Sequence, residues 1–415
     1  MATQSKFGGI GRALQHRNYR YYWMGGAVSI LGFWLHKLAL GWLTWELTHS
    51  PFWLGIIGFS ATFVTAIIAP FAGAVADRFG LRKIAFIALS CSSANAMTVA
   101  IVTYSGAMTI ELLVILTLIQ GITLSFDLPA RQALVHHIVD REDLSAAIAL
   151  NTTTFHVGAF VGPALFGLVT SIWDTYAAFF INSLTFFAFA IALAVMKLEP
   201  RPPREKDGST IFGDMVDGVR YTFNHPGIFA LLSLTAASHL LLRPYIDLLP
   251  AFADTIFGLG EGGFAALAGA SGMGSLVGGT WLAIRGKTEG LTRLLTLGIL
   301  GSGMAMFVFA ATNIYPLALA CMAFLGFSLV TMAVASQSLV QNAVDSSKRA
   351  RVISLSTGMA VGFPALGALI LGSIGDVLGV QIPVLVAAAI CLLYWFWASK
   401  RLRRQSDLME AEPEK

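Results

Sequence analysis

Twelve long apolar stretches follow one another along the chain, at about 19–46, 52–76, 84–104, 107–130, 144–169, 173–197, 226–252, 262–284, 291–312, 314–340, 350–375 and 379–400. Each is long enough to cross a hydrocarbon core of about 30 Å as a helix. Backbone amides placed in lipid must pair within their own segment unless strands close into a barrel, and runs this long without alternation are helical. With 56% of the 415 residues hydrophobic and only 12% charged, a soluble globular domain is excluded. The expected fold class is an all-α membrane protein.

Charge placement orients it. Apart from Lys37, Arg131 and Arg243, the 27 Lys and Arg fall in the N-terminal segment, around Arg78–Lys83, at Arg141, within Lys197–Arg220, within Arg285–Arg293, at Lys348–Arg351 and from Lys400 to Lys415. The alternate loops near 48, 105, 172, 257, 313 and 377 have none. Positive charge stays on the cytoplasmic side of short loops, so both termini are expected in the cytoplasm and the protein in the bacterial inner membrane. The first apolar run is too long for a cleavable signal peptide and lacks a cleavage site. Because the basic residues serve topology, no nucleic-acid partner is expected despite the net charge of +4.

The polar break at 198–225 falls near the midpoint and reads as a linker. It contains Ile211, Phe212, Met215, Val216 and Val219 at helical spacing beside Asp214, Asp217 and Arg220, the pattern of an amphipathic surface helix. The expected organisation is a bundle at 1–197, the linker at 198–225, a second bundle at 226–400 and a tail at 401–415. The halves are related: Gln132–Asp140 aligns with Gln337–Asp345, and the same shift of 205 pairs Ile148 with Ile353, Thr152 with Thr357, Gly162 with Gly367, Gly167 with Gly372 and Gly73 with Gly278. Two pseudo-symmetric six-helix bundles with a site at mid-membrane describe a rocking secondary transporter.

One short segment is unusual for such a chain. Gly73–Lys83 gathers Asp77, Arg78, Arg82 and Lys83 with Gly73 and Gly80 between two spans. Charges cost about 2.5–3.5 kcal/mol each at the bilayer centre even on the lenient scale, so this turn lies at a water interface, where its glycines let two helices approach. Gly73, Asp77, Arg78, Gly80, Arg82 and Lys83 resemble the signature turn of the major facilitator superfamily. Gly158, Gly162 and Pro163 are similar to the fifth-helix pattern of its antiporters. Thr48, His49 and Ser50, Phe126–Gln132, Leu150, Asn151 and Asn182 resemble the subgroup of bacterial exporters of enterobactin and macrolides. The resemblance implies twelve helices, alternating access and gating by Gly73, Asp77, Arg78, Gly80, Arg82, Arg131, Gly158, Gly162 and Pro163. Leu81 departs from the signature, where a basic residue is usual, so Arg78, Arg82 or Arg131 would have to complete the charge relay.

Ionisable groups inside spans are costly and are functional candidates by default. Thr235, His239, Arg243 and Asp247 recur at steps of four, placing them on one drifting helix face, and Pro244 bends that helix. Shifted by 205, Lys37 falls one residue from Arg243, so the two cations are expected at similar depth on opposing halves. They read as solute contacts, with His239, Tyr245, Trp34, Asn151, Gln337 and Gln341 as further binding residues. The alternative is an internal ion pair of Asp247 with Arg243 or Lys37. Asp247, then Asp127, is the expected proton carrier. Trp45 is expected at the bilayer interface.

Other signals carry less. The glycines from Gly269 to Gly279 lie inside an apolar span with no preceding strand, which favours helix packing over a nucleotide loop. Cys91, Cys321 and Cys391 read as small hydrophobes, and His136 and His137 lack further ligands at metal spacing. No cofactor and no metal is expected, and no nucleophile with a base suggests an enzyme. The expected function is proton-coupled export of an amphipathic organic solute, anionic, siderophore-like or drug-like, by a monomer whose partners are the solute, protons and the lipid bilayer. Uptake, lipid flipping or a non-transporting scaffold or sensor are the alternatives.

Overall fold

A computed structural model of the chain describes residues 8–196, 219–285, 289–344, 348–405 and 410. The linker from 197 to 218, with most of the expected amphipathic helix, lies outside the described residues. Among the described residues, twelve helical spans are long and apolar enough to cross a membrane. A short helix α1 (Gly8–Ala13) precedes α2 (Arg17–Thr48), α3 (Pro51–Phe79), α4 (Leu81–Tyr104), α5 (Ile110–Ile138), α6 (Leu144–Ile172) and α7 (Thr175–Val195). The seventh span is divided into α8 (Pro226–Leu241) and α9 (Tyr245–Ala251), which runs into a π-helical turn at Phe252–Ile256. Helices α10 (Gly260–Arg285), α11 (Leu291–Ala311), α12 (Tyr315–Ala343), α13 (Arg349–Leu378) and α14 (Gln381–Arg403) complete the chain.

The ends of these helices are set by local chemistry. The Thr109 hydroxyl accepts from the Leu112 N–H at the start of α5, the Asp174 carboxylate accepts from the Thr175 N–H at the start of α7, and His225 with Pro226 opens α8. Such caps serve amides that have no partner in the first turn. Between α3 and α4 the chain reverses through Gly80 at φ 96°, a conformation that side chains resist.

Contacts divide the chain into two compact units: Met1–Leu47 with Ser60–Lys206, and Thr48–Phe59 with Asp207–Lys415. In the first unit, Tyr19 and Tyr22 of α2, Leu89 of α4, Leu134 of α5, and Phe186, Phe189 and Leu193 of α7 share one buried cluster. Small residues set the closest approaches: a Cβ on Gly158 or Gly162 would overlap Ile30 or Trp34 of α2. Spaced four apart on α6, these glycines let two helices meet, since packing, not hydrophobicity, joins helices in lipid. A chain of neutral hydrogen bonds joins α4 to α5: Asn95 Nδ2 donates to Gln120 Oε1 at 3.1 Å, Gln120 Nε2 to Ser92 Oγ at 3.2 Å, and Ser92 Oγ to Thr123 Oγ1 at 2.8 Å.

In the second unit the approaches are backbone to backbone. A Cβ on Gly274 of α10 would overlap the Ala323 carbonyl of α12, and one on Gly326 of α12 would overlap the Ser271 carbonyl. The start of α3 belongs to this unit: Gly55 packs on the Ala368 carbonyl of α13, and Gly372 on the Pro51 carbonyl. The preceding turn adds Ser50 Oγ donating to Asp376 Oδ1 at 2.5 Å, and His49, with φ 46°, places Nδ1 4.0 Å from Asp254 Oδ2.

Candidate functional site

Within the first unit, two residues singled out in the sequence for different roles come together. Asp127 and Arg131, one turn apart on α5, form an ion pair whose side chains are 0% and 15% exposed. Neither carboxylate oxygen receives a well-aligned hydrogen bond from another described residue, and the Arg131 Nε–H finds no acceptor among them. The guanidinium lies 5.2 Å from the centre of the Phe189 ring, and Tyr22 Oη donates to the Arg131 carbonyl at 3.3 Å. Pro129, between the two partners, has no N–H, so it withholds a helical bond from the Ser125 carbonyl. The pair therefore sits on a loosened stretch of helix in an apolar setting, where losing one partner leaves the other charge uncompensated.

Lys37 on α2 is half-buried with its Nζ 5.6 Å from the Trp34 ring centre. Trp34 itself is buried, against Phe155 and the glycine face of α6. Asn151 on α6 is half-buried and accepts from Tyr19 Oη at 3.3 Å. Pro163 stands in α6 one residue after Gly162.

The charged turn is arranged differently from the relay that the resemblance implies. Asp77, Arg78, Gly80, Arg82 and Lys83 are exposed and Gly73 is half-buried. Arg82 donates to the Met196 carbonyl, Arg131 pairs with Asp127, and no cation among the described residues pairs with Asp77.

In the second unit, the face expected to carry Thr235, His239, Arg243 and Asp247 is interrupted. Helix α8 ends at Leu241 and α9 begins at Tyr245. Pro244 offers no N–H to the Leu240 carbonyl, and the Leu242 and Arg243 amides both turn back to the Ser238 carbonyl at 2.9 and 3.3 Å. Arg243 thus lies in the break, exposed, where the steps of four had placed it on a helix face. Asp247 is half-buried and faces Gly58, where a Cβ would lie 3.1 Å from its Cγ. Thr235 and His239 are buried, and the His239 Nδ1 and Ser238 Oγ have no hydrogen-bond partner among the described residues. Tyr245 is buried with its hydroxyl 2.6 Å from Ser271 Oγ. Gln337 and Gln341 lie exposed on α12.

Two features escaped the sequence reading and one expectation is corrected. His36, beside Lys37, is buried with its ring edge-on to Phe179 at 5.0 Å and its Nδ1 unbonded; an imidazole in an apolar run was its signal. At the start of α6, Asp143 receives Arg12 Nε at 2.9 Å and lies 3.1 Å from His16 Nε2. The Arg12 and His16 hydrogen bonds hold its carboxyl below the usual carboxylate range. Trp45, expected at the lipid interface, is instead 2% exposed and packed inside the protein.

Twelve helical spans among the described residues, with ionisable groups inside them and a broken seventh span, mark a polytopic membrane transporter of the major facilitator fold. Over residues 12–413 the sequence matches the family described as transmembrane secretion effector, and the chain belongs to that family. It is 21% identical over 386 residues to a staphyloferrin A transporter of Staphylococcus aureus, covering 92% of this chain and 96% of that protein. It is 23% identical to macrolide efflux protein A of Streptococcus pyogenes (86% and 89% covered) and 24% identical to an enterobactin exporter of Shigella boydii (90% and 88%). A crystal structure of a variant of the nucleoside transporter NupG matches the fold with a TM-score of 0.74 at 13% identity, covering 93% of this chain and 100% of that one.

Proposed function

We propose that this transporter is a proton-coupled exporter of an amphipathic organic solute of the siderophore or drug class, working by alternating access in the bacterial inner membrane with both termini in the cytoplasm. The observation that carries the reading is the enclosed Asp127–Arg131 pair. A carboxylate with one cationic partner and no other donor among the described residues holds its charge only while that partner stays; if α5 shifts at Pro129 and Arg131 turns away, Asp127 takes up a proton. That links a proton to a conformational state, which is what coupling requires. Its full burial puts Asp127 ahead of the half-buried Asp247 as carrier, reversing the order that the sequence suggested.

The solute contacts proposed are Lys37 with Trp34 and Asn151 in the first unit, and Arg243 with His239, Tyr245, Gln337 and Gln341 in the second. Arg243 is favoured among them because a helix break at membrane depth is tolerated where it lines a polar space. Gly73, Asp77, Arg78, Gly80, Arg82, Gly158, Gly162 and Pro163 are proposed to gate. The names of the relatives, two of them given as efflux or export proteins, support the outward direction.

Everted vesicles from cells expressing the protein, energised by respiration and offered a panel of catecholate, citrate-type and macrolide compounds, test the reading. Accumulation of a panel member that collapses with an uncoupler is the expected result. Flux that persists unchanged with the uncoupler, or that runs only in right-side-out vesicles, contradicts it.

A further inference from the structure

Where α14 ends and α11 begins, the second unit closes on its own tail. Gly290, at φ 75°, caps α11 in the left-handed region that favours glycine. Its N–H donates to Glu410 Oε2 at 2.6 Å, and the Thr292 N–H donates to Glu410 Oε1 at 2.8 Å. The opening amides of a helix have no acceptor in their own helix and carry its positive end. One carboxylate oxygen on each of two such amides is the way a helix start holds an oxyanion.

Glu410 does not exhaust the site. A cavity of about 300 Å³ remains, lined by Gly290, Thr292, Arg293, Arg403 and Glu410 itself. Thr292 is 1% exposed, yet its hydroxyl has no hydrogen-bond partner among the described residues. Among the described residues, the Arg293 guanidinium, two helix amides and an unbonded hydroxyl therefore gather around the Glu410 carboxylate, with Arg403 also in the lining. The donors suit an anion with more oxygens and more charge, and a tetrahedral phosphate group has both, with Arg able to engage it through two N–H groups. The setting agrees: on the last turns of α14, Lys400 Nζ lies 4.3 Å from the Phe396 ring centre and the Arg401 guanidinium 3.9 Å from that of Trp397. Basic groups lying over aromatic rings at the end of a spanning helix are placed where phosphate-bearing headgroups lie.

We infer that the start of α11 is a binding site for a phosphate group, and that Glu410 is the chain's own occupant, displaced when a phosphate enters. The phosphate can belong to an anionic lipid headgroup or to free inorganic phosphate, and the two are separable. Full-length wild type and Glu410→Gln, in phosphatidylcholine nanodiscs with or without phosphatidylglycerol, are compared for lipid retained by native mass spectrometry and for inorganic phosphate bound by equilibrium dialysis. Removing a tethered competitor should raise binding of one probe on the order of tenfold. A gain in phosphatidylglycerol alone assigns a headgroup, and a gain in phosphate alone assigns the free ion. Adding Arg293→Gln and Arg403→Gln should erase the gain. A chain ending at Gln405 should reproduce it, which guards against a local folding defect of the point variant. Equal binding of both probes by wild type, Glu410→Gln and the shortened chain overturns the inference, and so does a gain that survives loss of both arginines.

Discussion

The two units use corresponding stretches of helix in opposite ways. In the first, α5 carries Asp127 and Arg131 as an enclosed ion pair. The shift of 205 residues that aligns the halves puts Met332 and Ser336 of α12 at those positions in the second unit. Met332 is fully buried and Ser336 only shares a neutral contact with Thr235 at 3.3 Å. The second unit keeps a cation of its seventh span elsewhere, at the α8–α9 break, where Arg243 is exposed. An enclosed pair suits a switch, because its only response to movement is to change protonation or partner. An open cation suits a solute. On the function proposed above, the two units would divide two tasks that a symmetric pair would have to share.

The largest expected effect tests this division directly. Arg131→Ala leaves a buried carboxylate alone and should cost about 3–5 kcal/mol, whereas Ser336→Ala, at the matching position, should cost about 1 kcal/mol or less. Unfolding in detergent, followed by helical signal against denaturant, measures both; similar losses would remove the distinction. The double variant Asp127→Asn, Arg131→Gln should recover most of the stability.

Next come the glycine contacts. Gly274→Ala presses a methyl group on the Ala323 backbone carbonyl, while Gly158→Ala meets the Ile30 and Trp34 side chains. Both overpack, at about 1–3 kcal/mol, and the backbone case should lie at the upper end because a carbonyl in a helix cannot swing aside. Thermal midpoints of the two variants give the order.

Arg243→Ala should weaken solute binding about tenfold, near 1.4 kcal/mol, while leaving unfolding within about 0.5 kcal/mol of wild type, as exposed positions do. Isothermal titration with the compound identified by vesicle transport reads the first quantity, and a large stability loss would return Arg243 to a structural role.

The smallest effect belongs to the α1 contact. Asp143 has a lowered carboxyl, so its contribution is present above the ordinary carboxylate range and is lost as pH falls through the lowered value. Helix α1 should stay attached at neutral pH and loosen only in acid, whereas Asp143→Asn should loosen it at pH 7. Hydrogen exchange of residues 8–16 measures this, and equal protection in both proteins at pH 7 would dismiss the contact.

Much of the architecture was legible because lipid leaves few options: apolar runs of spanning length are helices, and ionisable groups inside them, such as Asp127 and Arg131, stand out as candidates, although their pairing was not stated by the sequence. Gly158 and Gly162 were picked out through the family resemblance, and in the structure they mark a close approach of α6 to α2. What was hidden depends on where backbone bonds go and on contacts distant in sequence. Pro244 signalled a bend, but the retreat of two amides to the Ser238 carbonyl, which moves Arg243 out of helix, is a tertiary outcome. The burial of His36 depends on Phe179, more than a hundred residues away, and no local pattern states it. Likewise, the partners of Asp143 lie 127 and 131 residues off.

The central claim is that Asp127 exchanges a proton as the transporter changes state. Proteoliposomes holding wild type or Asp127→Asn, loaded with a transported compound and given an imposed pH gradient, test it most directly. Wild type should drive the compound against its own gradient, while Asp127→Asn should only equilibrate it, with downhill exchange intact. Uphill accumulation by Asp127→Asn equal to wild type would contradict the account.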